Sequence, residues 1–300
     1  MKTLEAGKRI TLSNILFSTD FSAHSDAALP YAVAIARQYG AKIYGAHVVT
    51  SEDYLFTAPD LWPTHLEQEK RLEQEVKGHL EKQLRGVPHE ALFGVGDVWS
   101  TLSRLIGEYD IDLLVVGTHG RTGARKLILG SIAEKIFRQA ACPVLSIGPN
   151  VSCKPAGEIQ FRNILLATDF GEESSASLGY AFSLAEEAQA KLTLLHVIEQ
   201  PKAGIIDLQE VTATVTSRLK DLVPPEVEAW CHVECLVEFG PQFALPAQRI
   251  LEIARDQAAD LIILGVRPTH RAMSTVTHLA RTTAQHIVAH ATSPVLTVRG

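Results

Sequence analysis

The segment richest in chemistry runs from Gly117 to Ser131, Gly-Thr-His-Gly-Arg-Thr-Gly-Ala-Arg-Lys-Leu-Ile-Leu-Gly-Ser. It leaves an apolar run, Leu113 to Val116, crosses a stretch of glycine and base, and enters a helical pattern at Ser131. Gly117, Gly120 and Gly130 allow backbone to come close to a ligand and to take positive φ. A helix opened by Ser131 offers unpaired N–H groups and a positive dipole end, which together make an anion site. Ser131-x-x-Glu134 is also a capping box, so the helix start is well defined. Arg121, Arg125 and Lys126 bring positive charge to where phosphates would lie. The same glycines would serve equally to end a strand and cap a turn, with the basic residues solvated. The residues alone leave that alternative open.

The elements that must position this loop occur twice. Asn14-Ile15-Leu16-Phe17-Ser18-Thr19-Asp20-Phe21 reappears as Asn163-Ile164-Leu165-Leu166-Ala167-Thr168-Asp169-Phe170, and Ala46-His47-Val48-Val49 as Leu195-His196-Val197-Ile198. Ile111 to Gly117 returns as Ala259 to Gly265, and Cys142-Pro143-Val144-Leu145 as Ser293-Pro294-Val295-Leu296. Four colinear matches at nearly constant offset mark a duplicated domain. Pro149, Asn150, Pro155 and Gly157 cluster at the seam. The expected domains are therefore 1–149 and 158–300, with 150–157 as linker.

Within the first copy, short apolar runs at Ile15–Ser18, Ile43–Val49, His89–Phe93, Leu113–Val116 and Val144–Ile147 read as strands. Ala27–Gln38, Leu66–Leu84 and Val98–Tyr109 read as amphipathic helices between them. Runs that stay apolar rather than alternate belong to parallel sheets covered on both faces. The predicted fold is α/β, two doubly wound parallel-sheet (Rossmann-like) domains arranged as an intramolecular pseudo-dimer. Ligands in this class sit beyond the carboxyl ends of the strands, where Asp20, Val48 and Gly117 would converge.

Composition excludes several classes. The chain has 300 residues, with 34 acidic against 28 basic, for a net charge of -6, so a basic nucleic-acid or anionic-membrane face is not expected. Four cysteines are too few for a disulfide scaffold and no apolar run reaches a membrane span, so a cytoplasmic protein is expected.

Gly-x2-Gly-x9-Gly-Ser, read here as Gly117, Gly120, Gly130 and Ser131, resembles the ATP-binding signature of the universal stress protein family. The resemblance extends through Thr118-His119-Gly120-Arg121-Thr122-Gly123, Gly130-Ser131-Ile132-Ala133-Glu134, the opening Ser18-Thr19-Asp20-Phe21-Ser22 and the closing Cys142-Pro143-Val144-Leu145. It covers both copies and implies a tandem member of that family. By that resemblance Asp20, with Thr19 beside it, contacts the ribose or base edge, and Val48 meets adenine through its main chain. Val116 and Gly117 flank the ribose, while Gly120, Gly130, Ser131 and Ile132 hold the phosphates. His119 and Arg121 join the candidate set through the matched loop. Asp20 has a second reading as a turn or cap residue. ATP is the implied cofactor, with Mg²⁺ expected only because it travels with ATP.

The second copy departs from the pattern. Gly130-Ser131 corresponds to Arg281-Thr282 and Gly120 to Pro268, in a loop about three residues longer. Proline removes an N–H donor, and Arg281 fills the place where a missing side chain admits phosphate. A degenerate half kept for packing and an altered site for a smaller or less charged ligand both fit. Catalytic signatures are absent: there is no P-loop, nucleophile elbow or His-Glu-x-x-His helix. Cys231-His232-x-x-Cys235 is read as core cysteines on a strand spanning Glu228–Phe239, and His286 with His290 as surface histidines, so no metal site is expected. The leading expectation is a nucleotide-dependent regulatory module in the stress response, binding an adenine nucleotide and an unidentified protein partner. A slow ATPase and a nucleotide-independent scaffold are the alternatives, and a homodimer of the tandem unit is a further possibility.

Overall fold

The computed structural model describes residues 9–50, 65–118, 131–171, 174–198, 207–240, 246–266 and 283–299. The chain forms two compact units. One holds Thr11–Ile147 and Cys153–Ile159; the other holds Gln160 onward together with Gly148–Ser152 and the residues up to Ile10.

In the first unit the strands are β1 (Asn14–Ser18), β2 (Lys42–Val49), β3 (His89–Val95), β4 (Leu113–Gly117) and β5 (Val144–Ile147). They lie in the order β3-β2-β1-β4-β5 and every neighbouring pair is parallel. The helices are α1 (Ala23–Asp26), α2 (Leu29–Tyr39), α3 (His65–Gln83), α4 (Val98–Glu108) and α5 (Ser131–Gln139). Ile15, Leu16 and Phe17 of β1 are each 0% exposed. Consecutive side chains of a strand point to opposite faces, so both faces of this central strand are covered. The helical spacing of Val76, Leu80 and Leu84 buries one stripe of α3 and its end. Glu73 and Lys77 pair on its exposed side at 2.7 Å. Asp97 caps α4 by accepting the Ser100 amide at 2.9 Å.

The second unit repeats the plan with β6 (Asn163–Ala167), β7 (Lys191–Ile198), β8 (Val233–Phe239), β9 (Leu261–Val266) and β10 (Val295–Arg299), ordered β10-β9-β6-β7-β8 and again parallel. Its helices are α6 (Ser174–Ala188), α7 (Leu208–Lys220), α8 (Pro225–Glu228), α9 (Ala247–Asp256) and α10 (Thr283–His290). The fold is thus the expected α/β with two doubly wound parallel sheets.

The copies agree in backbone detail. Phe21 and Phe170 take φ of 57° and 60°, Asp110 and Ala258 take 46° and 49°, and Gly40 and Gln189 take 65° and 51°. Asp112 accepts the amides of Ser13 and Asn14 just as Asp260 accepts those of Arg162 and Asn163. One expected strand is shorter than its pattern. Pro224 and Pro225 open a helical turn, α8, so the segment from Glu228 is not extended until Val233. A proline at the first helical position is preset for helix and has no amide to give a sheet ladder.

Candidate functional site

The residues after β1 are folded by side chains. Thr19 N donates to Ala46 O at 3.0 Å, which continues the β1–β2 ladder by one residue. Thr19 Oγ1 accepts the Phe21 amide at 2.9 Å and lies 2.9 Å from Ser25 Oγ. Asp20 Oδ1 accepts the Ser22 amide at 3.0 Å, and Ser22 Oγ caps α1 through Ser25 N at 3.2 Å. These short-range bonds hold Phe21 in the left-handed region, a conformation that costs a bulky residue on the order of 1–3 kcal/mol.

Two rings clasp that phenylalanine. His47 of β2 stacks on it at 4.5 Å between centroids, and His79 of α3 meets it edge-on at 4.6 Å. The His47 ring is 6% exposed, with Nδ1 2.8 Å from Thr19 O. A carbonyl can only accept, so Nδ1 carries a proton.

Across the sheet, β4 delivers Val116, buried in the core, and Gly117. Thr118 N donates to Ile147 O at 3.0 Å. A Cβ placed on Gly117 would lie 2.6 Å from His24 O and 2.9 Å from Ser25 Cα. The glycine therefore has a packing role besides any contact with a ligand: it lets the backbone of α1 lean on the end of β4.

Thr19, Asp20, Val48, Val116 and Gly117 share the carboxyl edge of β1, β2 and β4. From β1 the sheet grows through β2 to β3, and from β4 it grows the other way to β5, so the reversal falls between β1 and β4. Such a switch point opens a crevice between diverging connections. α5 begins at Ser131, with Glu134 in its first turn, and Ile132 is 40% exposed. His119, Gly120, Arg121 and Gly130 lie outside the described residues, as do Pro268, Arg281 and Thr282 of the second copy.

The second unit rebuilds the frame of this turn. Thr168 N donates to Leu195 O, Thr168 Oγ1 accepts Phe170 N, Asp169 Oδ1 accepts Gly171 N, and His196 Nδ1 donates to Thr168 O. Phe170 meets His196 at 4.7 Å, but its other neighbour is the Arg218 guanidinium at 4.1 Å in place of a second imidazole. Phe21, Ser25 and His79 belong to this turn without any local motif that marks them in the sequence. The recurrence of phenylalanine after Asp20 and Asp169 was the available signal.

Among the described residues, no group of three or more His, Cys, Asp or Glu side chains gathers as a metal site. Cys231 donates from Sγ to Ala190 O at 3.3 Å, and burial pushes the thiols of Cys231 and Cys235 up, which keeps them neutral. No described helix is long and apolar enough to cross a membrane.

The model of the universal stress protein family matches the chain twice, over residues 11–147 and 160–299. A universal stress protein of Methanocaldococcus jannaschii is 30% identical over 136 residues, which covers 44% of this chain and 80% of that protein. The crystal structure of a universal stress protein from Archaeoglobus fulgidus superimposes with a TM-score of 0.70 at 19% identity, covering 95% of this chain and 98% of the other. A functionally unknown protein of Pseudomonas aeruginosa superimposes with a TM-score of 0.57 at 17% identity, covering 96% and 92%.

Proposed function

Because the chain belongs to the universal stress protein family, we propose that its first unit binds ATP, with Mg²⁺, at the switch point between β1 and β4. Asp20 and Thr19 take the ribose or base edge, the Val48 main chain meets adenine, and Val116 and Gly117 flank the ribose. The loop of Gly120, Gly130, Ser131 and Ile132, with His119 and Arg121, takes the phosphates. The observation that carries this reading is the reversal of strand order between β1 and β4, together with a helix that starts at Ser131 directly after a sequence rich in glycine and base. That donor set suits phosphate oxygens. No carboxylate in the loop offers itself to Mg²⁺, so the metal would be held by the phosphates and water.

The role that follows is a regulatory binding module in the cytoplasm. Nucleotide shifts the protein between states that differ in their affinity for a protein partner or a second copy. A full swing from 1:99 to 99:1 requires about 10⁴-fold preference of ATP for one state, which bounds the switch.

The test is to denature the purified protein and identify the released small molecule by chromatography and mass spectrometry. One adenine nucleotide per chain, lost in Gly130→Trp, is expected. ADP as the sole species would promote a slow hydrolase over a static binder. No nucleotide, and no heat of binding on adding Mg-ATP, would leave a scaffold and sink the proposal.

A further inference from the structure

The second unit carries a surface pocket of about 260 Å³ beside the amino end of β9, away from the carboxyl ends of that unit's strands. Its floor is apolar, from Leu251 and Ala254 of α9 and Ile262 of β9. Its rim is polar: Arg255 at the end of α9, His286 and His290 of α10, and Thr292.

The duplication supplies an internal control. Asp110 and Ala258 share their left-handed backbone, and Leu114 N and Ile262 N each donate to a proline carbonyl, Pro143 and Pro294. Counting from these anchors, Ile106 corresponds to Ala254 and Tyr109 to Gln257. In the first unit Ile106 is 8% exposed in the core cluster, with Tyr109 packed against it. The second unit has lost that volume, and the floor of the pocket lies where it was. The rim has changed in the same region: Gly107 has become Arg255, Lys135 His286, Gln139 His290 and Ala141 Thr292.

The rim carries one guanidinium. Arg255 is exposed and makes no ion pair among the described residues; of its acidic neighbours on α9, Glu252 is held by Arg249 at 3.0 Å and Asp256 is exposed at the helix end. The imidazoles of His286 and His290 stack at 4.2 Å with an 18° tilt, and His290 Nδ1 donates to His286 O at 2.8 Å. Backbone therefore anchors one ring and the stack fixes the other. The carboxyl ends of α9 and α10 both lie here, and each carries roughly half a negative charge. The full charge of Arg255 is what makes the rim attractive to an anion.

We propose that this pocket binds a small organic anion, a carboxylate on a compact apolar body. The carboxylate is held by Arg255 with the Thr292 hydroxyl, and the body rests on Leu251, Ala254 and Ile262 beside the imidazole stack. A guanidinium matches a carboxylate in a two-bond fork. The volume lies below the usual range of about 300–1,000 Å³ for drug-sized ligands, which favours a single ring or short branched chain.

Benzoate is the probe. The full chain is titrated with it while the ring protons of His286 and His290 are followed by NMR. Saturable shifts at both histidines are expected, weakened at least tenfold in Arg255→Gln and abolished in Ala254→Ile, which restores the first unit's side chain. Cyclohexylammonium, of similar size and opposite charge, is expected to leave both rings unmoved. Arg255 is exposed, so its variant decides the matter even if Ala254→Ile fails to fold. Absence of saturation at millimolar benzoate, or equal affinity in Arg255→Gln, overturns the proposal. A response of the two rings to Zn²⁺ but not to benzoate overturns it in favour of a metal. The outcome is independent of nucleotide binding in the first unit.

Discussion

Gly117 and His24 approach so closely that a Cβ on the glycine would stand 2.6 Å from the histidine's carbonyl oxygen. The contact is backbone on backbone, so no rotamer change relieves it. Gly117→Ala must push α1 off the end of β4, and overpacking of this kind costs about 1–3 kcal/mol. Urea denaturation is expected to show a lower midpoint with an unchanged slope. A wild-type midpoint would mean that α1 yields freely. The turn containing Thr19 and Asp20 leads into α1, so weaker binding of any nucleotide is expected alongside the lost stability.

His47 is expected to be the Nδ1–H tautomer, because Thr19 O can only accept. His196 is expected to match it through Thr168 O. Nitrogen chemical shifts of the two rings, correlated through their carbon-bound protons, read this directly. A ring protonated on Nε2 alone at either position would mean that the hydrogen bond to the turn is not formed in solution.

Gln189 occupies the left-handed position that Gly40 fills in the first copy, each just beyond a helix. The amide after each residue closes the helix end alike, Ala41 N to Ala36 O and Ala190 N to Ala185 O, both at 2.9 Å. A side chain in that region costs roughly 1–2 kcal/mol, and glycine does not incur it. Gln189→Gly should therefore raise stability by about 1 kcal/mol, visible as a higher urea midpoint. A decrease would show that the glutamine side chain contributes more than its backbone costs.

Burial pushes the Cys142 thiol from an ordinary value near 9 up to about 12. In the unfolded chain the thiol ionises first, so between those values the unfolded state binds fewer protons and stability falls as pH rises. Below pH 9 both states are protonated and Cys142 adds no slope. Its limiting contribution is about 1.4 kcal/mol per pH unit. Cys142→Ala should flatten the alkaline limb of a stability–pH curve, though not remove it, since Cys231 and Cys235 are shifted the same way. An unchanged limb would place the alkaline loss elsewhere.

The repeat and the strands were readable because parallel strands buried on both faces must be continuously apolar. Ile15-Leu16-Phe17 and Ile262-Ile263-Leu264 carry that pattern openly. The clasp of Phe21 between His47 and His79 was not readable, because it joins three elements far apart along the chain and neither histidine has a local pattern. The strand expected from Glu228 was overextended because alternation of apolar residues continues through a segment that Pro224 and Pro225 turn helical. Gly117 was legible as a glycine that matters. Its contact with α1 was not, since that depends on where a later strand meets an earlier helix.

The all-parallel register also sets a schedule. Among the described strands no neighbouring pair within either unit is a hairpin, so none forms from adjacent stretches of chain. Ile15 must wait for Leu113, and Leu114 for Val144, before the central strand has both its neighbours and the next has its own. On the ribosome the first sheet therefore stays open until Val144–Ile147 has been made, with β1 and β2 waiting for their partners meanwhile. Translation rate and chaperone supply should then enter the yield of native protein beside the stability of the finished fold.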